Sequence, residues 1–266
     1  MGQTWLVASG KGGVGKSTLC AALVIALAKA GQSVAILDAV IGLRNQDSLL
    51  GMADRVVYDL VDVLEKNCDV EQALIHHSQY PNLSLLPAAQ FCSMNRLNPK
   101  DMRKLVGALR VRYDYVLIDS PTGVEKGFLN ALDPAEHVLL VVTPDDVSLR
   151  DAERASQVIN EHKGPRPELI VNRANREWIS DGIMYSPETV AMTLDLRLIG
   201  IVPNDDEVYR GILTHTDWMA EKGEAEEAVS RIAQRMMGHS VSLPVYQTNN
   251  GGFFNRLKRK RGENLL

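Results

Sequence analysis

The sequence predicts an α/β fold in which helices cover both faces of a mostly parallel, twisted sheet. Short apolar runs alternate with longer segments of helical pattern, which is typical of such sheets. The strands are expected at Thr4–Ser9, Ser33–Asp38, Leu83–Leu86, Tyr115–Asp119, Val138–Thr143, Glu168–Asn172 and Arg197–Val202. The helices are expected at Lys16–Ala30, Asp54–Lys66, Val70–His77, Asp101–Arg112, Ser148–Glu161, Ser186–Leu194 and Glu221–Met237.

A glycine-rich loop and two acids lie where three of these strands end. Residues 10–15 follow the first strand, and Asp38 and Asp119 each end another strand. Open parallel sheets bind their ligands at the carboxyl ends of the strands. The sequence therefore predicts one binding site at this edge of the sheet.

The composition is that of a soluble globular protein. Of 266 residues, 45% are apolar and 23% are charged, and the net charge of −4 argues against a nucleic-acid-binding surface over the whole molecule. Three cysteines, Cys20, Cys68 and Cys92, are far apart, so we expect neither a disulfide framework nor a zinc site. The chain has no apolar run long enough to predict a transmembrane helix.

The alternation of strands and helices ends near Met237, which predicts three segments. Residues 1–238 form the domain, residues 239–252 form a linker that contains Pro244, and residues 253–266 form a separate C-terminal segment.

The C-terminal segment is amphipathic. Its apolar side chains, Phe253, Phe254 and Leu257, share one helical face, and its basic side chains are Arg256, Lys258, Arg259, Lys260 and Arg261. This pattern predicts an interfacial helix that binds anionic lipid weakly as a single copy, so that two linked copies would bind far better than one. A nucleic-acid-binding tail and a disordered tail remain alternatives.

The glycine-rich loop matches the phosphate-binding pattern G-x-x-x-x-G-K-[ST]. Glycines let backbone N–H groups converge on phosphate oxygens, and the helix that follows adds the positive end of its dipole. Lys16 is expected to reach the β- and γ-phosphates, and Ser17 to ligate Mg²⁺. The nucleotide-binding residues are therefore predicted to be Gly10, Lys11, Gly12, Gly13, Val14, Gly15, Lys16, Ser17 and Thr18.

The two strand-end acids are candidates for holding the metal. Asp119 ends the run YVLID, where an acid holds a water bound to Mg²⁺ in nucleotide-hydrolysing enzymes. Asp38, at the end of the neighbouring strand, is predicted to hold a second such water. For both residues the alternative is an acid that only stabilises a turn.

The run K-G-G-V-G-K-S at residues 11–17 resembles the deviant Walker A (ParA/MinD) family of ATPases. Further segments, at residues 41–45, 55–59, 86–90, 118–123 and 148–154, are similar to the MinD-like branch of that family. The resemblance implies ATP and Mg²⁺ as cofactors and a homodimer that forms in the ATP state. It also implies that Lys11 reaches the partner's nucleotide, and it makes Arg44, Asn45 and Asp151 candidate interface positions.

The resemblance also implies a base pocket and a set of partners. Asn172, whose amide can pair with an adenine edge, is expected near the base together with Pro203 and Asp205, although ordinary loop chemistry is the alternative. MinD-like proteins bind a MinC-like inhibitor and a MinE-like or coiled-coil topological factor, and they place the bacterial division site. We therefore expect a cytoplasmic protein that lies peripherally on the inner face of the cell membrane. A flagellar-number ATPase is the sibling alternative.

One position departs from the resembled pattern. The family carries two acids in the form D-x-D-x-G-L-x-N, and here Val40 replaces the second acid, which orients the attacking water. Asp47 lies past the following turn and is expected to be too far away to substitute. Losing such a group costs about 10²–10⁴ in rate, so hydrolysis is predicted to be weak. The resemblance assigns catalysis to Lys11, Lys16, Asp38 and Asn45, and the alternative is an ATP-gated scaffold that does not hydrolyse.

Overall fold

A computed structural model describes residues 1–90, 98–214 and 216–246 of the chain. Its strands are β1 Gln3–Ala8, β2 Val34–Asp38, β3 Ile75–His76, β4 Leu83–Leu86, β5 Tyr115–Asp119, β6 His137–Val142, β7 Glu168–Ala174 and β8 Arg197–Pro203. Its α-helices are α1 Lys16–Lys29, α2 Gln46–Leu49, α3 Leu60–Leu64, α4 Val70–Ala73, α5 Pro99–Arg110, α6 Lys126–Leu132, α7 Asp146–Glu161, α8 Arg176–Ser180, α9 Pro187–Leu194, α10 Asp206–Thr214 and α11 Glu224–Met236. No helix among these residues is long and apolar enough to cross a membrane.

The strands form one sheet in the order β3-β4-β2-β5-β1-β6-β7-β8. All neighbouring pairs are parallel except β3 with β4 at one edge. The expected mostly parallel sheet is therefore confirmed. The order places β1 between β5 and β6, so the loop after β1 lies at the centre of the carboxyl edge of the sheet.

Helices cover both faces because the inner strands alternate buried side chains between them. In β1, Trp5 and Val7 pack on the face that carries α1 and α11. Leu6 and Ala8 pack on the opposite face, against α5, α6, α7 and α9. The core on both faces holds the strand ends rigidly, which positions the loops that follow them.

Two expected helices are wrong in part. The segment Asp54–Lys66 contains one α-helix, α3, after a short 3₁₀ turn at Ala53–Arg55. Asp59 is extended, and its side chain accepts hydrogen bonds from the N–H groups of Val61 and Asp62, so the α-helix starts there. The segment Val70–His77 contains only the short α4. Its end is the edge strand β3, in which Ile75 pairs with Leu85 of β4. In both cases a cap or a distant strand overrides local helical propensity.

Four helices, α2, α6, α8 and α10, were not expected from the sequence. Part of the segment predicted as a linker also packs on the domain. Tyr246 is buried against Ala174, Ile179 and Ile201, and the guanidinium of Arg176 lies 5.0 Å from the centre of its ring. The predicted amphipathic helix, with Phe253, Phe254, Leu257, Lys258 and Arg259, lies outside the described residues.

Candidate functional site

The glycine-rich loop and both strand-end acids come together at the carboxyl edge of the sheet. Asp38 and Asp119 are register partners at the ends of β2 and β5, and β5 pairs in turn with β1, which leads into the loop. Both carboxylates are fully buried. The sequence therefore placed these three features correctly on adjacent strands.

The loop needs glycine at several positions, and the steric reason differs from one position to the next. Gly15 has a φ of +88°, which favours glycine, and a Cβ there would overlap the side-chain nitrogen of Asn172. A Cβ at Gly10 would overlap the backbone of Asp151 in α7. Gly13 also has a positive φ, of +80°, and Gly12 has open space beside it. The loop thus turns sharply into α1, with room beside Gly12 and Gly13 for a ligand.

Lys16 begins α1 and points into the site. It is almost fully buried, forms an ion pair with Asp119 Oδ1 and lies 3.5 Å from the Ser17 hydroxyl. Lys16, Ser17 and Asp119 therefore share one small volume, as the phosphate-binding pattern requires.

The site offers oxygen ligands of the kind that Mg²⁺ prefers. The donor set is the Ser17 hydroxyl with two buried carboxylates, Asp38 and Asp119, and this chemistry fits a hard divalent cation. Burial, followed by the charge of Asp119, raises the pKa of Asp38 from 3.8 to about 7, although hydrogen bonds from the backbone N–H groups of Gln46 and Val40 oppose the rise. A cation beside these carboxylates would relieve their repulsion.

Gln46 is a site residue that the sequence reasoning missed. It is fully buried at the first turn of α2, and its Nε2 donates to Asp119 Oδ2 at 2.6 Å and to the Ser17 carbonyl at 3.0 Å. Its backbone N–H donates to Asp38 Oδ2 at 3.1 Å. No local pattern marks a glutamine after Arg44-Asn45 as part of a phosphate site, and only the fold reveals these contacts.

Val40 is buried beside Asp38. Its backbone N–H donates to Asp38 Oδ1 at 2.9 Å, and its side chain carries no polar atom. Asp47 is also buried, but it pairs with Arg44 Nε at 2.5 Å and accepts the N–H of Ser48. The Asp47 carboxylate is therefore engaged by neighbouring residues of its own turn.

The three residues expected near a base surround one cavity. Asn172, Pro203 and Asp205 line a cavity of about 270 Å³ that also reaches Gly15 and Thr18. Asn172 Nδ2 donates to the Val14 carbonyl at 2.8 Å, which fixes the amide. The Asp205 carboxylate accepts the N–H groups of Glu207 and Ala225, so it also holds the starts of α10 and α11.

Further residues line this cavity that the sequence reasoning did not assign. They are Leu19, Arg173, Val202, Asn204, Asp206, Val208, Tyr209, Ile212 and Trp218. Several of them belong to α10 and the turn after it, which the sequence pattern did not predict. The cavity adjoins the phosphate loop at Gly15, as a base-and-ribose site should.

The predicted interface residues are spread along the surface around the loop. Lys11 is partly exposed, and its Nζ lies 3.6 Å from Asp145 Oδ1 at the start of α7. Hydrogen bonds from Thr143 and from the N–H groups of Ser148 and Val147, together with the Lys11 charge, lower the pKa of Asp145 against the effect of burial. Asn45 precedes α2 without a side-chain hydrogen bond to its first turn, and Asp151 is half-buried on α7.

The comparisons with known proteins agree on one family. A family model described as "ParA: NUBPL iron-transfer P-loop NTPase" matches residues 1–237. The septum site-determining protein MinD of Helicobacter pylori is 41% identical over 259 residues, which cover 95% of this chain and 96% of that protein. MinD of Bacillus subtilis is 37% identical over 262 residues, which cover 97% of each.

Solved structures show the same likeness. The chain matches the MinC:MinD cell division protein complex of Aquifex aeolicus with a TM-score of 0.83 and 38% identity, over 92% of this chain and 99% of that one. It matches the septum site-determining protein MinD of Pyrococcus horikoshii, complexed with Mg-ADP, with a TM-score of 0.79 and 27% identity, over 89% of this chain and 96% of that one.

Proposed function

The chain belongs to the MinD group of the ParA family of P-loop ATPases, and on that premise we propose that it is an ATP-hydrolysing switch protein of division-site placement. The observation that carries this proposal is the meeting of Lys16, Ser17 and Asp119 beside a cavity lined by Asn172. A phosphate loop, metal-holding oxygens and a base pocket thus adjoin in the order that a nucleoside triphosphate requires.

Different residues of the site would bind the phosphates, the base and the metal ion. The loop N–H groups and Lys16 hold the phosphates, while Asn172, fixed by the Val14 carbonyl, faces the base cavity. Ser17, Asp38 and Asp119 would hold Mg²⁺, which when bound neutralises charge on the phosphates. The buried position of Lys16 keeps its charge out of water, which strengthens its attraction to phosphate oxygens.

Hydrolysis by this chain is proposed to be weak. The Val40 side chain can neither accept a proton nor orient a water molecule, and Asp47 is engaged by Arg44 and the N–H of Ser48. The catalytic residues that remain by family pattern are Lys11, Lys16, Asp38 and Asn45. A scaffold that binds ATP without turnover is the second candidate function, and Val40 is the feature that favours it.

Phosphate release from ATP tests this part of the proposal. Purified full-length protein is assayed with Mg²⁺ and anionic vesicles, beside Val40→Asp and the neutral control Val40→Asn. Asp should raise the rate by about 10²–10⁴, and Asn should not. Equal rates for the wild type and Val40→Asp would contradict the role of Val40, whereas no ATP binding at all would contradict the function itself. Wild type that binds ATP without any release would support the scaffold.

We also infer an ATP-dependent homodimer. Lys11 is partly exposed near the rim of the loop, and its pairing with Asp145 at 3.6 Å leaves it free to exchange this partner for a phosphate. By family pattern, Lys11 serves the nucleotide of the other subunit. Arg44 pairs with Asp47 within its own turn, so Asn45 and Asp151 are the better candidates for contacts with a partner.

Membrane attachment and partner binding complete the proposal. The segment with Phe253, Phe254, Leu257, Lys258 and Arg259 would place a cytoplasmic dimer on the inner face of the membrane. The Aquifex aeolicus relative forms a complex with MinC, so a MinC-like inhibitor is the partner we propose. A MinE-like or coiled-coil factor is proposed from family pattern alone.

Vesicle sedimentation with light scattering tests dimer and membrane together. Protein is mixed with phosphatidylglycerol vesicles and either ATP with Mg²⁺, ADP with Mg²⁺, or ATP with EDTA. A dimer and vesicle binding are expected only with ATP and Mg²⁺. Lys11→Ala should stay monomeric, while Lys104→Ala, at a side chain 80% exposed, serves as the matched control. Phe253→Glu should dimerise but stay in the supernatant, and vesicle binding by this variant would contradict the helix.

A further inference from the structure

Gln46 carries a buried hydrogen-bond acceptor that has no partner within the part of the chain that the structure describes. The residue is fully buried, and its Oε1 has no hydrogen-bond partner among the described residues. Leaving a buried acceptor without a hydrogen bond destabilises a protein. Such a cost in a binding site calls for a donor that arrives with the ligand.

The chemistry of its neighbours fixes which way the amide faces. Nε2 lies 2.6 Å from Asp119 Oδ2 and 3.0 Å from the Ser17 carbonyl, and both of these atoms only accept hydrogen bonds. Reversing the amide would place Oε1 against two other oxygens. Both N–H groups are therefore committed, and Oε1 is the atom turned away from these two contacts.

Gln46 touches all three residues expected to hold Mg²⁺. It reaches Ser17 and Asp119 through its side chain and Asp38 through its backbone N–H. We propose that Gln46 is a positioning residue of the metal site, whose Oε1 accepts a hydrogen bond from a water molecule bound there. This inference rests on the proposed function.

A water molecule is the donor that fits this place best. Mg²⁺ in proteins usually keeps several of its waters, and these waters donate strongly to nearby acceptors. In the resembled pattern a second acid stands at position 40, where this chain has an apolar side chain. Gln46 thus supplies a neutral acceptor at a site that has one acid fewer than its relatives' pattern.

Mg²⁺ titration of nucleotide binding tests the proposal without relying on turnover. Full-length protein binds a fluorescent ATP analogue while free Mg²⁺ is varied, and the same binding is measured in EDTA. Removing a group that supports a metal from outside its ligand shell costs about 10–100-fold in metal affinity. Gln46→Leu should therefore raise the half-saturating Mg²⁺ concentration by that factor and leave binding in EDTA within about two-fold.

Two further variants make the outcome decisive. Gln234→Leu makes the same change at an exposed position of α11 and should behave as wild type. Gln46→Glu keeps an acceptor oxygen but turns its second oxygen toward Asp119, so it should be less stable than wild type in EDTA, while its added negative charge should let it bind Mg²⁺ at least as tightly as wild type. Weakening in Gln46→Glu would overturn the proposal, because it would assign the effect to the donor. Wild-type Mg²⁺ dependence in Gln46→Leu would also overturn it, and if that variant fails to fold, Gln46→Glu decides alone. Absence of Mg²⁺-dependent binding in the wild type would instead refute the proposed function.

Discussion

The raised pKa of Asp38 predicts a specific pH dependence of stability in the absence of metal and nucleotide. Burial and the charge of Asp119 raise this pKa from 3.8 to about 7 in the folded protein. Each pKa unit corresponds to about 1.4 kcal/mol, so the ionisation of Asp38 costs the folded state roughly 4 kcal/mol once it is complete. Between about pH 4 and about pH 7 the folded state holds more protons on Asp38 than the unfolded state does. The free energy of unfolding therefore falls as pH rises through this range.

Asp38→Asn should remove this dependence. Of the roughly 4 kcal/mol that ionisation of Asp38 costs the folded state, about 2–3 kcal/mol of stability is lost between roughly pH 5 and pH 8, because the pKa of Asp38 in the folded protein lies within that window. Urea denaturation in EDTA at the two pH values, for wild type and variant, isolates Asp38 since the other groups cancel in the comparison. The variant's free energy of unfolding should fall by about 2–3 kcal/mol less than that of the wild type.

The control for this experiment is a carboxylate with the opposite shift. Hydrogen bonds from Ser33 lower the pKa of Asp114, so this group titrates below the window, and Asp114→Asn should leave the slope unchanged. Parallel profiles for Asp38→Asn and wild type would refute the reasoning. They would mean that Asp38 is ionised without cost, and that a cation is not needed to relieve it.

Two further predictions concern backbone and packing. Gly15→Ala should weaken ATP-analogue binding at least ten-fold, because its Cβ meets Asn172 and its φ is left-handed; Gly31→Ala, with a similar φ of +85° and open space around it, should cost only about 1–2 kcal/mol of stability. Equal loss of binding in both variants would contradict the steric argument. Tyr246→Ala should lower the free energy of unfolding, measured in urea, by about 2 kcal/mol. This loss is smaller than that expected for a fully enclosed aromatic side chain, because the segment that carries Tyr246 can detach from the domain. The exposed neighbour Val245→Ala should change it by under about 0.5 kcal/mol, and an equal effect of the two would show that the segment is not anchored through Tyr246.

The sequence predicts the buried strands well because each is a continuous apolar run. The strand ending at Asp119 is predicted to the residue, and the first helix differs only at its last residue, Ala30. Prediction fails where a single side chain interrupts the pattern, as Asp59 does by capping α3, or where pairing with a distant strand decides, as at Ile75. The cap at Asp59 is a local signal that hydrophobic periodicity alone does not register, whereas the pairing of Ile75 lies outside any local window.

The site shows the same division between local and distant information. The phosphate loop and Asp119 could be predicted because their spacing follows from the geometry of the turn and the strand end. Gln46 could not, because its contact with Asp119 joins residues 73 positions apart. The sequence pattern did not predict α10, so the residues of this helix that line the base cavity were missed as well.

The charge of the site links Val40 to Gln46. Asp38 and Asp119 are register partners, Lys16 forms an ion pair with Asp119, and burial together with the charge of Asp119 raises the pKa of Asp38 to about 7. A third carboxylate at position 40 would raise the pKa of Asp38 further and destabilise the folded state wherever Mg²⁺ is absent. We propose that valine avoids that cost at the expense of hydrolysis, while the neutral Gln46 keeps an acceptor without adding charge. Val40→Asp should therefore hydrolyse faster and yet unfold at lower urea concentration in EDTA than wild type, with Mg²⁺ and nucleotide reversing the order.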